Sequence, residues 1–279
     1  MQNITRRRDD YRALHASGCF VIPNPWDAGS ARYLQSLGFR ALATTSAGFG
    51  FTCGLPDSPE ALTCERVLAH VAELVAAVDL PVNADFQSGY ADDLAGVAEN
   101  VRRCVATGVA GLSIEDATGR RDQPLYEPAE AVDRLRAARG AIDSAGANVL
   151  LTARSECFLV GHSDPLRESI RRLKVYAAAG ADVLFAPGVR EHDDIRAIVD
   201  AVAPKPVNVL VSTDGGLRVA DYAALGVRRL SVGSALARVA WGGFMRAAQR
   251  LAEEGSFAGL EGAATFAELN ALFEAERGR

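Results

Sequence analysis

The stretch Leu80-Pro-Val-Asn-Ala-Asp-Phe-Gln-Ser-Gly-Tyr-Ala-Asp-Asp93 decides how the rest of the chain is read. Pro81 opens it and a short apolar run follows, the pattern of a buried parallel strand. The run breaks into a loop at Gln87-Ser88-Gly89, and Asn83, Asp85, Asp92 and Asp93 gather around that break. Carboxylates at the exit of a buried parallel strand mark where α/β proteins keep their chemistry. A second apolar run, Val109-Ala-Gly-Leu-Ser-Ile114, ends in Glu115-Asp116. If the two runs are neighbouring strands, Asp85 and Glu115 meet at one mouth and offer oxygen ligands to a hard divalent cation.

Outward from this pair the same alternation repeats. Cys19 to Ile22 and Ala41 to Thr45 precede it as short strands, and Asn148 to Thr152, Asp182 to Phe185, Pro206 to Leu210 and Arg229 to Val232 follow it. A helical pattern from Thr5 to Ser17 comes first. Others run from Ala28 to Leu37, Thr63 to Val78, Leu94 to Thr107, Pro128 to Ser144, Pro165 to Ala179, Asp193 to Val202 and Val219 to Leu225. Glycines such as Gly38, Gly108 and Gly180 sit just past these helices, where a left-handed C-cap is wanted. Ser46-Ala-Gly-Phe-Gly-Phe-Thr-Cys-Gly54 reads as a Gly-rich loop. Eight strand–helix units imply an α/β fold, a closed (β/α)8 TIM barrel, with 1–279 as one domain. The segment 235–279, helical through Arg250 and again from Thr265 to Ala275, exceeds what eight units need. It reads as a C-terminal extension that packs on a neighbour or across the barrel bottom.

A net charge of −5 argues against nucleic acid or an anionic membrane as the main partner. No apolar run is long enough to span a bilayer, and no apolar h-region follows Arg6-Arg-Arg8 to make a signal peptide. The five cysteines are scattered and none forms a C-x-x-C pair, which implies reduced thiols and a cytoplasmic location. His15 and His70 read as surface or satisfied helix residues, and His162 falls outside the site. Neither a Gly-x-Gly-x-x-Gly nor a Walker pattern is present, so no dinucleotide or ATP is indicated.

In such a barrel the strand C-termini share one cavity. That set is Asn24, Trp26 and Asp27; Thr45, Ser46 and Ala47; Asn83 and Asp85; Glu115 and Asp116; Arg154; Asn208; and Ser231. Two carboxylates, an arginine and several amides suit a small anion together with a metal. Mg²⁺ keeps several waters and takes one or two protein carboxylates, so Asp85 would bind it directly and Glu115 through water. The Arg154 guanidinium fork suits a carboxylate, and the Ser46–Gly54 segment offers backbone N–H donors to an oxyanion. The competing reading is that the acids cap helices or pair with Arg154.

Four of these segments carry a resemblance: Asn24-Pro-Trp-Asp-Ala-Gly-Ser30, Val82-Asn-Ala-Asp-Phe-Gln-Ser-Gly-Tyr90, Leu112-Ser-Ile-Glu-Asp116 and Leu151-Thr-Ala-Arg-Ser155. Together, and in order from about Asn24 to Leu210, they resemble the isocitrate lyase/phosphoenolpyruvate mutase superfamily, on its phosphoenolpyruvate mutase-like side. The resemblance implies a (β/α)8 barrel, Mg²⁺ with Mn²⁺ as substitute, a 2-oxo or 2-hydroxy acid ligand and an enolate intermediate. It also implies a homotetramer, a dimer of dimers, whose last helix is exchanged between partners. By the same resemblance Asp85 is the principal metal aspartate and Glu115 the carboxylate on a metal water. Asn83 stands where many members have another Asp, giving a less acidic metal shell. Arg154 grips the substrate carboxylate, and Thr45-Ser46-Ala47 holds the 2-oxo acid. Asp57, in Gly54-Leu-Pro-Asp57, resembles the acid near the reacting group.

Two departures narrow the expectation. Isocitrate-type lyases carry a Cys- and His-bearing loop after the Glu strand, whereas Ala117-Thr-Gly-Arg-Arg-Asp-Gln-Pro124 has neither, and the sixth strand ends Phe185-Ala-Pro-Gly without an acid. The phosphonopyruvate branch has a longer loop with Lys, Asn and Ser, which Arg120-Arg-Asp-Gln123 lacks. The expected protein is a Mg²⁺-dependent carbon–carbon lyase or decarboxylase of a small 2-oxo or 2-hydroxy di-acid. Trp26 and Asn208 help to line its site, and Arg120 or Arg121 closes over the second acidic arm. One alternative is C–P mutase or hydrolase chemistry akin to carboxyphosphonoenolpyruvate phosphonomutase. The other is a barrel that binds a ligand without turning it over.

Overall fold

The computed structural model describes residues 2–58 and 60–277. Its strands are β1 (Phe20–Ile22), β2 (Leu42–Ala43), β3 (Val82–Asp85), β4 (Gly111–Glu115), β5 (Leu150–Arg154), β6 (Val183–Phe185), β7 (Val207–Leu210) and β8 (Arg229–Ser231). All pair in parallel, in the order β1-β8-β7-β6-β5-β4-β3-β2. The two end strands of that order are also tied together. Ala43 N–H donates to Pro23 O at 3.0 Å. Asn24 donates to Thr44 O and accepts from the Val232 and Gly233 N–H groups, each at 2.9 Å. Asn24 therefore staples the exits of β1, β2 and β8, and the sheet closes into the expected (β/α)8 barrel.

The helices are α1 (Gln2–Leu14), α2 (Ala28–Ser36), α3 (Ser46–Thr52), α4 (Cys64–Ala77), α5 (Leu94–Ala106), α6 (Pro128–Ser144), α7 (Pro165–Ala178), α8 (His192–Val202), α9 (Val219–Ala224), α10 (Ala235–Glu254) and α11 (Phe266–Arg277). Asp27, Thr63, Asp93 and Asp164 each accept the N–H three residues on, so strand exits turn into helices at defined points. Between sheet and helices lies the main core, with Val71, Val101, Leu112, Leu151 and Leu184 fully or almost fully buried. Each such side chain contributes about 1.5–3 kcal/mol relative to an exposed one. Helix α1 crosses the bottom of the barrel and inserts Tyr11, which is 0% exposed. Gly111 makes room for it: a Cβ there would lie 2.7 Å from the Tyr11 ring and 2.6 Å from Asn83 Oδ1.

Two features differ from the sequence reading, the segment from Ser46 and the state of His70. The expected loop from Ser46 is the helix α3. Thr45 caps it by accepting the Gly48 N–H at 3.2 Å, and a Cβ on Gly48 would stand 2.6 Å from the Thr45 methyl. The glycine serves close packing there, not chain reversal. His15 and His70 are both buried, and of the two only His15 fits the alternative of a satisfied residue. His15 is satisfied by Tyr11 O at 2.8 Å, whereas His70 stacks on Phe49 at 3.8 Å with its Nε2 unpartnered. Burial brings His15 down to about 3 and His70 to about 4. Helix α10, in the expected C-terminal extension, is largely exposed: of its 20 residues only Ala237 is buried. Among the described residues no helix is long and apolar enough to cross a membrane.

Candidate active site

The strand exits enclose a cavity of about 180 Å³. Because side chains alternate along a strand, residues two apart share the inner face. Asn83 and Asp85, Ser113 and Glu115, Thr152 and Arg154, Asn208 and Leu210, and Arg229 and Ser231 are such pairs. At the rim, Arg154 faces three carboxylates: Nη1 meets Asp85 Oδ1 at 2.8 Å, Nη2 meets Glu115 Oε2 at 3.1 Å and Nε meets Glu156 Oε1 at 2.9 Å. Strand pairing sets Glu115 directly beside Arg154. Asp85 is fixed from its other side by Ser46, whose N–H and hydroxyl donate to Oδ2 at 3.1 and 3.0 Å.

The loop that follows Asp85 holds an uncommon backbone. Gln87 and Tyr90 have φ of +43° and +54°, a left-handed region that costs non-glycine residues energy. Buried Arg134 offsets this by donating to Ser88 O, Ala91 O and Asp92 O, and Asn100 binds Gly89 O and Tyr90 O. Neither residue stands near a strand end, so neither was visible as part of the site.

The expected residues divide clearly. Thr45, Ser46, Ala47, Asp57, Asn83, Asp85, Arg154, Asn208 and Ser231 line the cavity, with Glu115 against Arg154 at its edge. Asp116 does not face it, as neighbouring residues on a strand point to opposite sides. Its carboxylate instead takes the Glu156 N–H at 2.8 Å, Arg172 at 3.0 Å and the Tyr176 hydroxyl at 2.6 Å, a buried support beneath the rim. Asp27 belongs to the capping box of α2, and Trp26, partly exposed, gives its N–H to Ser30 without lining the cavity. Arg120 and Arg121 are exposed on the β4–α6 loop, where Arg120 meets Asp122 and Gln123. Ser113 and Arg229 line the cavity unforeseen, although both lie two residues before Glu115 and Ser231. That spacing was the available signal.

Charge decides whether a divalent cation suits this rim. Asp85, Glu115 and Glu156 surround one guanidinium, and Asp57 adds a fourth acid at the mouth. Burial raises Glu115 above the usual carboxylate range, with Glu156, Asp85 and Asp116 adding to the effect against Arg154. Burial and then the Asp85 charge also raise Asp57. Surplus negative charge on oxygen donors is what a hard cation relieves. Among the described residues no three or more His, Cys, Asp and Glu side chains converge as a ready-made cage. The donor set thus fits a water-rich Mg²⁺ or Mn²⁺ site built on one or two carboxylates. Asn83 contributes least, because its Oδ1 already accepts the Tyr11 hydroxyl at 3.2 Å.

Fold and cavity together define a (β/α)8 barrel with a small, acidic, oxygen-lined site at its strand exits. The sequence profile of the phosphoenolpyruvate phosphomutase family matches residues 11–252. The chain belongs to that family, within the isocitrate lyase/phosphoenolpyruvate mutase superfamily. A crystal structure from Burkholderia cenocepacia J2315, of a protein described provisionally as a lyase/mutase, superposes with a TM-score of 0.93 at 46% identity over 98% of each chain. Oxaloacetate decarboxylase of Pseudomonas savastanoi pv. phaseolicola (strain 1448A / Race 6) is 30% identical over 78% of this chain and 74% of its own length. Oxaloacetate acetylhydrolase, solved with its product oxalate, gives a TM-score of 0.86 at 25% identity over 99% of this chain and 98% of its own.

Proposed function

We propose that the chain is a divalent-metal-dependent carbon–carbon lyase acting on a small 2-oxo or 2-hydroxy di-acid, with decarboxylation of a 2-oxo di-acid as its simplest reaction. The observation that carries this reading is the single guanidinium of Arg154 bridging Asp85 and Glu115 at the cavity rim. The relatives that act on oxaloacetate support the substrate class. A cavity of about 180 Å³ also favours a small acid, since pockets for drug-sized ligands run to roughly 300–1,000 Å³.

Asp85, with Glu115 through water, would hold Mg²⁺, which when bound supplies Lewis-acid stabilisation of charge developing on the 2-oxo oxygen. The remaining work falls to the chain. Three of Arg154's five N–H donors face protein acids, which leaves one on each terminal nitrogen for a substrate carboxylate. Ser46 orients Asp85 through its N–H and hydroxyl. Phe185, Pro187 and Leu210 supply apolar wall that limits water. As the C3–C4 bond breaks, carbon dioxide leaves and the electron pair passes into the enolate of C2–C3. Asp57, whose pKa is raised by burial and by Asp85, then returns a proton to C3. Incubation with oxaloacetate and Mg²⁺ should release pyruvate and carbon dioxide, and Asp85→Ala should abolish both turnover and Mg²⁺ binding. Full activity and Mg²⁺ affinity in that variant would remove the assignment. The phosphomutase description of the family keeps a second reading, C–P chemistry, which phosphorus NMR with phosphonopyruvate separates from the first.

In this reading the protein works in the cytoplasm as a single-domain homo-oligomer, a dimer of dimers that exchanges helix from its C-terminal extension, 235–279. All five cysteines are free thiols. Helix α10 leaves Val239, Phe244 and Met245 exposed, an apolar surface that suits an obligate contact. Light scattering of the full chain checks this, and a monomer at micromolar concentration would contradict it.

A further inference from the structure

The floor of the cavity differs in charge from its rim. Arg229 at the start of β8 is 3% exposed and lines the cavity together with Asn83, Ser113, Asn208 and Ser231. Among the described residues no carboxylate pairs with it. Its Nε donates to Asn208 Oδ1 at 2.8 Å, Nη1 to the Tyr11 hydroxyl at 2.9 Å and Nη2 to Thr152 Oγ1 at 3.2 Å. Nη1 also meets His15 Nε2 at 3.4 Å. His15 is neutral there, because its Nδ1 faces Tyr11 O and must carry the proton, leaving Nε2 as the acceptor.

Every partner of this guanidinium is thus uncharged. Two other buried arginines have counter-charges, Arg7 in Asp79 and Arg172 in Asp116 and Glu168, whereas Arg134, like Arg229, has uncharged partners but does not line the cavity. A buried charge without a counter-charge is costly, and a site that keeps one gains when an anion arrives. Arg229 is held rigidly by Asn208, Tyr11 and Thr152, and the second N–H of Nη2 has no partner among the described residues. Rigid placement lowers the entropic cost of binding. At the rim, by contrast, an incoming carboxylate meets an arginine already facing three acids.

We propose that Arg229 is the specificity-determining residue of the cavity, seating the second carboxylate of a di-acid at the barrel floor. This rests on the reading of the cavity as a small-acid site. Titration calorimetry of the full chain with malonate and with pyruvate tests it, using Arg229→Gln, Arg229→Lys and the unmodified protein. Loss of a charge-assisted hydrogen bond should weaken malonate binding about tenfold to a hundredfold in Arg229→Gln. Pyruvate should be little affected, and Arg229→Lys should restore part of the malonate affinity. Equal malonate affinity in folded Arg229→Gln would overturn the assignment while leaving the small-acid reading intact. No binding of either acid to the unmodified chain would overturn both. Should the variants fail to fold, a crystal structure of the unmodified protein with malonate decides. A carboxylate within hydrogen-bond distance of Arg229 Nη2 supports the assignment, and both carboxylates at the rim refute it.

Discussion

Two arginines line one cavity and live under opposite conditions. Arg154, at the strand exits, has Asp85, Glu115 and Glu156 on its three nitrogens. Arg229, at the floor, has among the described residues Asn208, Tyr11, Thr152 and neutral His15. The rim carries surplus negative charge and the floor surplus positive charge, so the same residue type prepares one end for a cation and the other for an anion. The difference comes from position along the strands. Exits open towards loops that can bring in acids, whereas the floor is sealed by α1, which offers a phenol and an imidazole.

Breaking the rim should have the largest effect. Arg154→Ala leaves three carboxylates without their shared partner, and removing one member of a buried ion pair typically costs about 3–5 kcal/mol. Turnover should fall by about 10²–10³-fold or more, as for loss of a preorganised donor. Denaturant unfolding and steady-state kinetics check the two parts, and an unaltered midpoint would show that the rim is not strained by its surplus charge.

Acid probes the floor next. Burial first, and then the Arg229 charge, hold His15 at about 3, against about 6.5 in an unfolded chain. The unfolded state therefore binds a proton below about pH 6.5 that the folded state refuses until about 3. Stability is fully present above that window and is lost as pH falls through it, by roughly 4 to 5 kcal/mol at the acid end. Unfolding measured from pH 7 to pH 4 should show a shallower loss in His15→Gln. An identical slope would mean that His15 is not held neutral beside Arg229.

A smaller change should shift the balance between the two ends. Asn83 lies between them, accepting from Tyr11, which in turn accepts from Arg229. Asn83→Asp adds a carboxylate towards the rim while giving Arg229 a charged neighbour one hydroxyl away. Mg²⁺ should bind about tenfold more tightly and malonate more weakly, both readable by calorimetry. The smallest effect belongs to Arg120→Ala. That side chain is exposed and pairs with Asp122 on a surface loop, where ion pairs contribute little. The unfolding midpoint should not move, and any rise in KM without loss of kcat would mark closure of the loop over substrate.

Much of this is legible in the sequence. Alternation of short apolar runs with capped helices made the barrel readable, and acids at two successive exits located the rim. What escaped has physical causes. Consecutive strand residues point apart, so Glu115 and Asp116 could not share the cavity, and Asp116 supports it from behind. Gly48 and Gly50 look like helix breakers, yet Gly48 sits where the Thr45 methyl leaves no room for a side chain. His15 was left open between a surface and a satisfied helix residue, because its contact with Arg229 through the packing of α1 spans more than 200 residues of sequence. Arg229 itself obeyed the two-residue spacing from Ser231, but nothing local distinguishes a buried strand arginine from an edge one.

The measurement that bears most directly on the central claim is proton NMR of the protein with Mg²⁺ and pyruvate in D₂O. An enolate-forming site held by Asp85, Glu115 and Arg154 predicts loss of the methyl signal to deuterium, abolished by EDTA and by Arg154→Ala. A methyl signal that persists with Mg²⁺ present, while oxaloacetate and phosphonopyruvate also remain unconsumed, would contradict it.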